Sequence, residues 1–401
     1  MTNMDSVNNA KFNDLPLKLY EPDWGSSLAK TIVELERLRM KRLGGPVPPY
    51  IFFQLKEIFQ MMESLGSVRI EGNNTTLAEF VEKIIERTSV KTEDEQLKEI
   101  FNIDKAIKFI EENVNSQTVF SRALISELHK IIVDGLTPPP AGEGSRMPGA
   151  YRSTSVSIVN SSHKPPEPIR VLGYMDGLID FVNKPVDLQN DLLVTALAHH
   201  RLAWIHPFDN GNGRLIRMFT YALLVKQGFK VKDGRILNPT AIFCMDRNKY
   251  YDMLELADSG EQEKALQWCA YVLEGLKSEI EKIDHLLDLK YMTSTILLPM
   301  LSFALEREHI TQQEYEILVA VVKNEDMILK SSNLTAVIGQ ESSVQRSRII
   351  KRLRNKEMLK PIPGKSRVYT IGFANNYLLR GVFFVLKQNG FVPASLDKKN
   401  N

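Results

Sequence analysis

Apolar residues recur every three to four positions along most of the chain, and that spacing predicts a mainly α protein. Residues 26–43 read as a first helix, stopped by Gly44-Gly45. Pro48-Pro49 opens a second, with Ile51, Leu55, Phe59, Met62 and Leu65 on one face, running toward Ser67-Val68-Arg69-Ile70-Glu71-Gly72-Asn73. Further amphipathic helices follow from Thr75 to about Lys130. The pattern then changes. Gly135, Pro138-Pro139-Pro140, Gly142, Gly144 and Gly149 forbid regular helix, and Tyr151 to Val159 alternates apolar with polar residues, which predicts a short β-hairpin or flap closing at Asn160-Ser161-Ser162. Helix resumes over 169–183 and 188–204, where Leu192, Leu193, Ala196, Leu197 and Leu202 form a buried face leading into His206. Leu215, Phe219, Ala222 and Leu223 carry a helix from Gly213 to Gly228, and segments 238–253 and 262–287 complete the central unit.

From Ile310 the pattern is that of a separate module. Helices are expected over 311–323, 331–338 and 342–357, followed by two short strands around a turn within 359–370, which is the plan of a winged helix-turn-helix. Between Glu341 and Thr370, Arg346, Arg348, Lys351, Arg352, Arg354, Lys356, Lys360, Lys365 and Arg367 stand against Glu341 and Glu357, a local excess suited either to a phosphate backbone or to a solvated helix in a module used for protein contacts or dimerisation. A last apolar helix is expected over 377–386.

Composition narrows the class. A chain of 401 residues suits two or three domains, and 51 basic against 49 acidic residues leave no global attraction to nucleic acid, so only a local patch could supply it. Cys244 and Cys269 lie in apolar surroundings without CxxC spacing, which indicates buried thiols, a reducing compartment and therefore the cytoplasm. Neither the polar start nor the short run Ile296-Leu297-Leu298-Pro299-Met300-Leu301 suggests a membrane segment.

The densest chemistry lies in His206-Pro207-Phe208-Asp209-Asn210-Gly211-Asn212-Gly213-Arg214-Leu215-Ile216-Arg217. A Gly-Asn-Gly turn opening a helix offers free backbone N–H groups and the positive end of the helix dipole to an anion. Arg217 lies in the first turn of that helix, and His206 stands just upstream. His199 and His200 lack the i, i+4 spacing with which a helix aims two imidazoles at one ion, so they read as packing histidines. Tyr250 and Tyr251 fit either the core and rim of a helix or a platform for a purine. Glu71, taken alone, reads as a solvated helix-end carboxylate.

The dodecapeptide resembles the signature of the Fic family (filamentation induced by cyclic AMP), His-Pro-Phe-x-(Asp/Glu)-Gly-Asn-Gly-Arg-x-x-Arg, over a likeness spanning about 100–290. Ser67-x-x-x-Glu71-Gly72 is similar to the family's inhibitory motif, (Ser/Thr)-x-x-x-Glu-(Gly/Asn), in the subclass whose inhibitory helix is amino-terminal. The resemblance implies a helical core with a β-hairpin flap, in a chain divided into an N-terminal region with the inhibitory motif (1–99), a catalytic core (100–290), a linker helix (291–309), the winged helix-turn-helix (310–375) and a C-terminal helix and tail (376–401). It implies a protein adenylyltransferase (AMPylator) that moves AMP from ATP to a Ser, Thr or Tyr hydroxyl of a target protein. His206 would be the base. Gly211, Asn212, Gly213, Arg214, Leu215, Ile216 and Arg217 would hold the phosphates, Tyr250 and Tyr251 the base, and Ser157 would lie on the flap that aligns the target. Ser67, Glu71 and Gly72 would be inhibitory, with Glu71 occupying Arg217 and bordering the nucleotide.

At Asn210 the family has Asp or Glu to hold Mg²⁺. An amide offers one neutral oxygen, so metal affinity is expected to fall at this position. Two alternatives accompany the transferase: a de-AMPylase in which Glu71 orients a water, and a transcriptional regulator that binds DNA through the wing and uses the core as nucleotide sensor or scaffold. A homo-oligomer is compatible with each.

Overall fold

The computed structural model describes residues 12–40, 47–86, 93–158, 161–229, 236–330, 334, 337, 343–365 and 367–397. Helix α1 (Ser27–Met40) buries Leu28, Ile32 and Leu35 against α11 (Gln262–Leu286). Helix α2 (Pro49–Ile70) starts with proline at its first turn, where a missing N–H costs nothing, and buries Ile51, Leu55, Ile58, Phe59, Met62 and Leu65. Glu71 follows as its C-cap, and Gly72 turns the chain out at a φ of 110°. Thr76 and Glu79 form a capping box on α3 (Leu77–Ile85), while Asp94 and Ser121 cap α4 (Glu95–Asn113) and α5 (Arg122–Val133).

The expected hairpin does not form among the described residues. Residues 151–158 run without ladder pairing, because the Arg152 side chain and main chain bond to the segment before α6 and to the loop after α7 instead. Helices α6 (Pro168–Asn183), α7 (Asp191–Ile205) and α8 (Asn212–Lys226) come next, with α7 and α8 packed together at the centre and α4 and α5 against α8. The segment 238–253 contains two helices, α9 (Thr240–Met245) and α10 (Arg247–Ala257). Asp246 leaves the helical region at a φ of −141° and caps α10 by accepting from the Lys249 N–H. The linker helix runs through Leu289–Tyr291, a π-helical stretch at Met292–Leu297 and Leu298–Glu306. Pro299 lacks an N–H and crowds the preceding turn, which accounts for the widened stretch.

In the C-terminal module, helix Gln312–Lys323 leads into strand β1 (Ile328–Lys330), and helix Ser343–Asn355 leads into β2 (Leu359–Pro361) and β3 (Val368–Ile371). The strands pair antiparallel in the order β1-β3-β2, with Leu329 opposite Tyr369 and Lys360 opposite Thr370. β1 was not expected, since three residues carry too little alternation to be seen. Most of the helix expected over 331–338 lies outside the described residues, as do Val159, Asn160 and Glu341. A cleft of about 1500 Å³ opens between helix Ser343–Asn355 and the strands, lined by Arg346, Arg348, Lys351, Arg354, Lys360 and Arg367, with Lys330 beside them. Arg352 and Lys356 reach instead to the buried Glu314, at 2.9 and 3.0 Å, so two of the expected cations serve packing. The final helix is Leu378–Gln388. No helix among the described residues is long and apolar enough to cross a membrane. Both cysteines are buried and free.

Candidate active site

The connection between α7 and α8 is held from several sides. Helix α7 ends at His206, which takes a left-handed φ of 49°, and Arg152 donates from Nε to the His206 carbonyl at 2.8 Å. Phe208 is fully buried and stacks on His129 with ring centroids 3.8 Å apart. Gly149 N–H donates to His129 Nδ1 at 2.9 Å, so Nε2 carries the proton and donates to the Asn210 carbonyl at 3.0 Å. The Asn212 amide closes the loop on itself, accepting from Phe208 N–H and donating to Phe208 C=O, both at 3.0 Å. Gly211 takes a φ of 74° and gives α8 its start. The loop is thus preset and not left to a ligand to shape. Burial pushes the His206 imidazole down to about 4, Arg152 and His163 adding to the effect and Glu71 opposing it. The ring is therefore neutral at cellular pH, although a weaker base than a free imidazole.

Ser67 and Glu71 meet the same guanidinium. Arg217 donates from Nε to Ser67 Oγ (3.0 Å), and from Nη2 to Ser67 C=O (2.7 Å) and Glu71 Oε1 (2.8 Å). Arg217 is 1% exposed, and its Nη1 has no hydrogen-bond partner among the described residues. Burial works to raise the Glu71 carboxyl, but the charges of Arg217, Arg214 and Arg247 outweigh it and hold the group below the usual range. Glu71 is thus ionised. Its carboxylate also lies against Gly213: a Cβ there would come 2.1 Å from Oε1. A side-chain anion therefore rests where the amino terminus of α8 favours negative charge. Gly72 itself is exposed and meets nothing.

Arg214 is pinned by acids that the sequence did not single out. Its Nη1 lies 2.8 Å from Glu99 Oε1, and its Nη2 donates to the Glu143 carbonyl at 2.6 Å and approaches Glu143 Oε2 at 3.3 Å. Asn210 points the same way, with Nδ2 3.3 Å from Glu143 Oε2 and its amide oxygen accepting from Gly211 N–H at 2.8 Å. Asp209 is committed elsewhere, accepting from Ser145 Oγ (2.5 Å) and Arg146 N–H (2.9 Å). Neither residue turns a free carboxylate toward the anion site, and no group of three metal-ligating side chains occurs among the described residues. The donor set at Asn210 does not fit a carboxylate-held Mg²⁺.

Tyr250 and Tyr251 part ways. Tyr250 is 2% exposed and its hydroxyl contacts His199 Nε2 at 2.9 Å, so its ring is core and is closed to a purine. Tyr251 is 38% exposed, with Arg247 over its ring at 5.5 Å. His199 is fully buried between Tyr250 and Thr220, and His200 pairs with Asp258, so both are packing histidines. Leu215 and Ile216 are buried in α8 and offer a ligand only their main chain. Ser157 lies exposed on the unpaired segment.

Residues 119–224 match the family described as Fic/DOC. That stretch is similar to a Fic domain. The whole Fic loop, His206 to Arg217, falls inside that span, whereas Glu71 lies before it. Protein adenylyltransferase Fic of Nematostella vectensis is 28% identical over 237 residues, covering 58% of this chain and 48% of that protein. The protein of the same name from Aedes aegypti is 32% identical over 199 residues, covering 49% and 36%. The chain thus spans between about a third and a half of the length of these curated relatives. In fold, it is similar to a Fic family protein from Desulfovibrio desulfuricans G20, with a TM-score of 0.53 at 19% identity over 88% of this chain and 98% of that one. A Fic domain containing signaling protein from Bacteroides thetaiotaomicron VPI-5482 gives 0.51 at 18%, over 65% and 98%.

His129, Glu99, Glu143 and Arg152 hold the Fic loop from α4, α5 and the segment before α6. No local pattern marks them, because each reaches its partner only through the tertiary fold.

Proposed function

We propose that this chain is a protein adenylyltransferase held in check by its own Glu71. The observation that carries the reading is the Glu71 carboxylate, ionised, bonded to Arg217 and seated against Gly213 at the start of α8. A nucleotide phosphate needs the same cation and the same glycine. In the active state Arg217 would turn its Nη1 and the freed Nη2 to the outer phosphates, as charge-assisted bonds. The N–H groups of Gly211, Asn212 and Gly213 would face the charge that develops on the α-phosphate, preorganised donors of this kind being worth several kcal/mol. His206 takes the proton from the target's Ser, Thr or Tyr hydroxyl. The hydroxyl oxygen then forms the new bond to the α-phosphorus, and pyrophosphate leaves as the old P–O bond breaks. Arg214, locked by Glu99 and Glu143, fixes the field at the loop. The division into inhibitory region 1–99, catalytic core 100–290, linker 291–309, winged helix 310–375 and tail 376–401 belongs to this reading, as does a cytoplasmic address.

The test is incubation of wild type, Glu71→Gly and His206→Ala with α-labelled ATP, Mg²⁺ and a cell lysate. Label on protein that rises with the first variant and is lost with the second is expected; equal labelling by wild type and Glu71→Gly would sink the inhibitory role. A second reading, a regulator that binds DNA through the C-terminal module, is favoured by the basic cleft beside helix Ser343–Asn355. Its test is salt-dependent binding of duplex DNA to the full chain. De-AMPylation, with Glu71 orienting a water, would be read as release of AMP from a labelled target by wild type but not by Glu71→Gly.

A further inference from the structure

Helix α2 belongs to both halves of the molecule. Its C-terminal turns carry Ser67 and Glu71 to Arg217. Its N-terminal half is bonded to the C-terminal module: Gln54 Nε2 donates to the Ile371 carbonyl at 3.0 Å, and Gln54 Oε1 accepts from Phe373 N–H at 2.8 Å. Gln54 is 5% exposed, so both bonds are buried; its Nε2 keeps a second acceptor in the Tyr50 carbonyl at 3.0 Å, whereas its Oε1 would lose the Phe373 N–H if the clasp opened. One turn on, Asn375 Nδ2 donates to Glu57 Oε1 at 2.9 Å, and one turn back the Tyr50 hydroxyl donates to the Asp326 carbonyl. Residues 50, 54 and 57 form one stripe of the helix, whereas 63, 67 and 71 form another on a different side. The far end is tied as well, since Arg69 Nη2 donates to the Ser395 carbonyl at 2.8 Å. The clasped residue Ile371 ends β3, whose Val368 and Tyr369 line the basic cleft, as does Arg367 just before the strand.

We propose that duplex nucleic acid bound in that cleft is the signal that lifts Glu71 from Arg217, with α2 as the lever between them. The inference rests on the adenylyltransferase reading and adds its regulator. The occupant follows from charge: seven cations line the cleft against Glu357 alone, from helix Ser343–Asn355, the β2–β3 hairpin and Lys330 at the end of β1, a shape suited to a phosphate backbone. The lever follows from the clasp. With Gln54 bonded to the end of β3, the pose of the hairpin and the pose of α2 are one variable, and a ligand that prefers a different pose of the hairpin changes how firmly Glu71 is seated.

The test uses the full chain in the labelling assay with Glu71→Gly as reference. Gln54→Ala and Gln54→Glu, which break the clasp in different ways, are expected to raise labelling roughly tenfold toward that reference, and to speed hydrogen exchange in residues 66–71. Duplex DNA is expected to raise wild-type labelling and to leave Glu71→Gly unchanged, while Arg348→Glu with Lys351→Glu keeps wild-type basal labelling and loses the response. If Glu71→Gly carries no label, the adenylyltransferase reading itself fails. If Glu71→Gly labels but both Gln54 variants match wild type in labelling and exchange, the lever is overturned. Bound DNA without a rise, or an equal rise with heparin, overturns duplex nucleic acid as the signal.

Discussion

Three buried titratable residues set the tone of the site. His206, held neutral down to about pH 4, makes the proposed reaction insensitive to the pH range in which an ordinary histidine titrates. In the Glu71→Gly background, labelling is expected to stay level from about pH 6 to 8 and to fall only as pH drops toward 4; an acid limb centred near ~6.5 would contradict the buried environment. His129 obeys the same physics with a different readout. Burial pushes it down to about 4 while the unfolded chain titrates near ~6.5, so between those values the unfolded state binds more protons and stability is lost as pH falls. Relative to His129→Gln, the wild type should lose roughly 2 kcal/mol between pH 7 and pH 5 in urea unfolding. Glu63 runs the other way. Burial raises it to about 8 against the bonds from Thr240, so it is protonated at neutral pH although it lies one turn before Ser67. Glu63→Gln, neutral and of equal size, is expected to change stability by less than about 0.5 kcal/mol, whereas a carboxylate at that position would make the change large.

At the level of elements, the sequence was most readable where one periodicity governs a whole segment. Helices α2, α8 and α11 begin and end close to where their apolar faces, Pro49, Gly211 and Gly228 place them. The Glu71–Arg217 pair was readable for another reason: two short motifs carry it, one at each end. What escaped was whatever depends on a distant partner. The alternation over 151–159 looked like a strand, but among the described residues no neighbour supplies a ladder, and Arg152 spends its guanidinium on the His206 and Pro166 carbonyls. Asp246 divides the segment 238–253 into two helices, a break that no local signal had marked. The glycines of 142–144, legible only as helix breakers, turn out to be packing positions: a Cβ on Gly144 would lie 2.2 Å from the Leu136 carbonyl oxygen. Gly144→Ala should displace this loop, parting Glu143 from Arg214 and Ser145 from Asp209. A stability loss of about 1–3 kcal/mol and weakened labelling in the Glu71→Gly background are expected, read by thermal melting and label incorporation.

Across the whole molecule, one apolar core runs from the first helix to the last, and bonds from Gln54 to Ile371 and from Arg69 to Ser395 tie both ends of α2 to the C-terminal part of the chain. The Fic core and the C-terminal module should therefore melt together, in a single calorimetric transition; two well-separated transitions would show that the clasp carries little of the folding free energy. Glu71 gains its force from this rigidity. Under the proposed inhibition, a carboxylate fixed on a helix beside Arg217 would compete with nucleotide as a tethered ligand, at an effective concentration set by geometry and not by supply. On the proposed reading, raising the amount of ATP would be an inefficient way to displace it and loosening the tether an efficient one, so output would be insulated from the cell's energy state and would answer to whatever grips the other end of the helix.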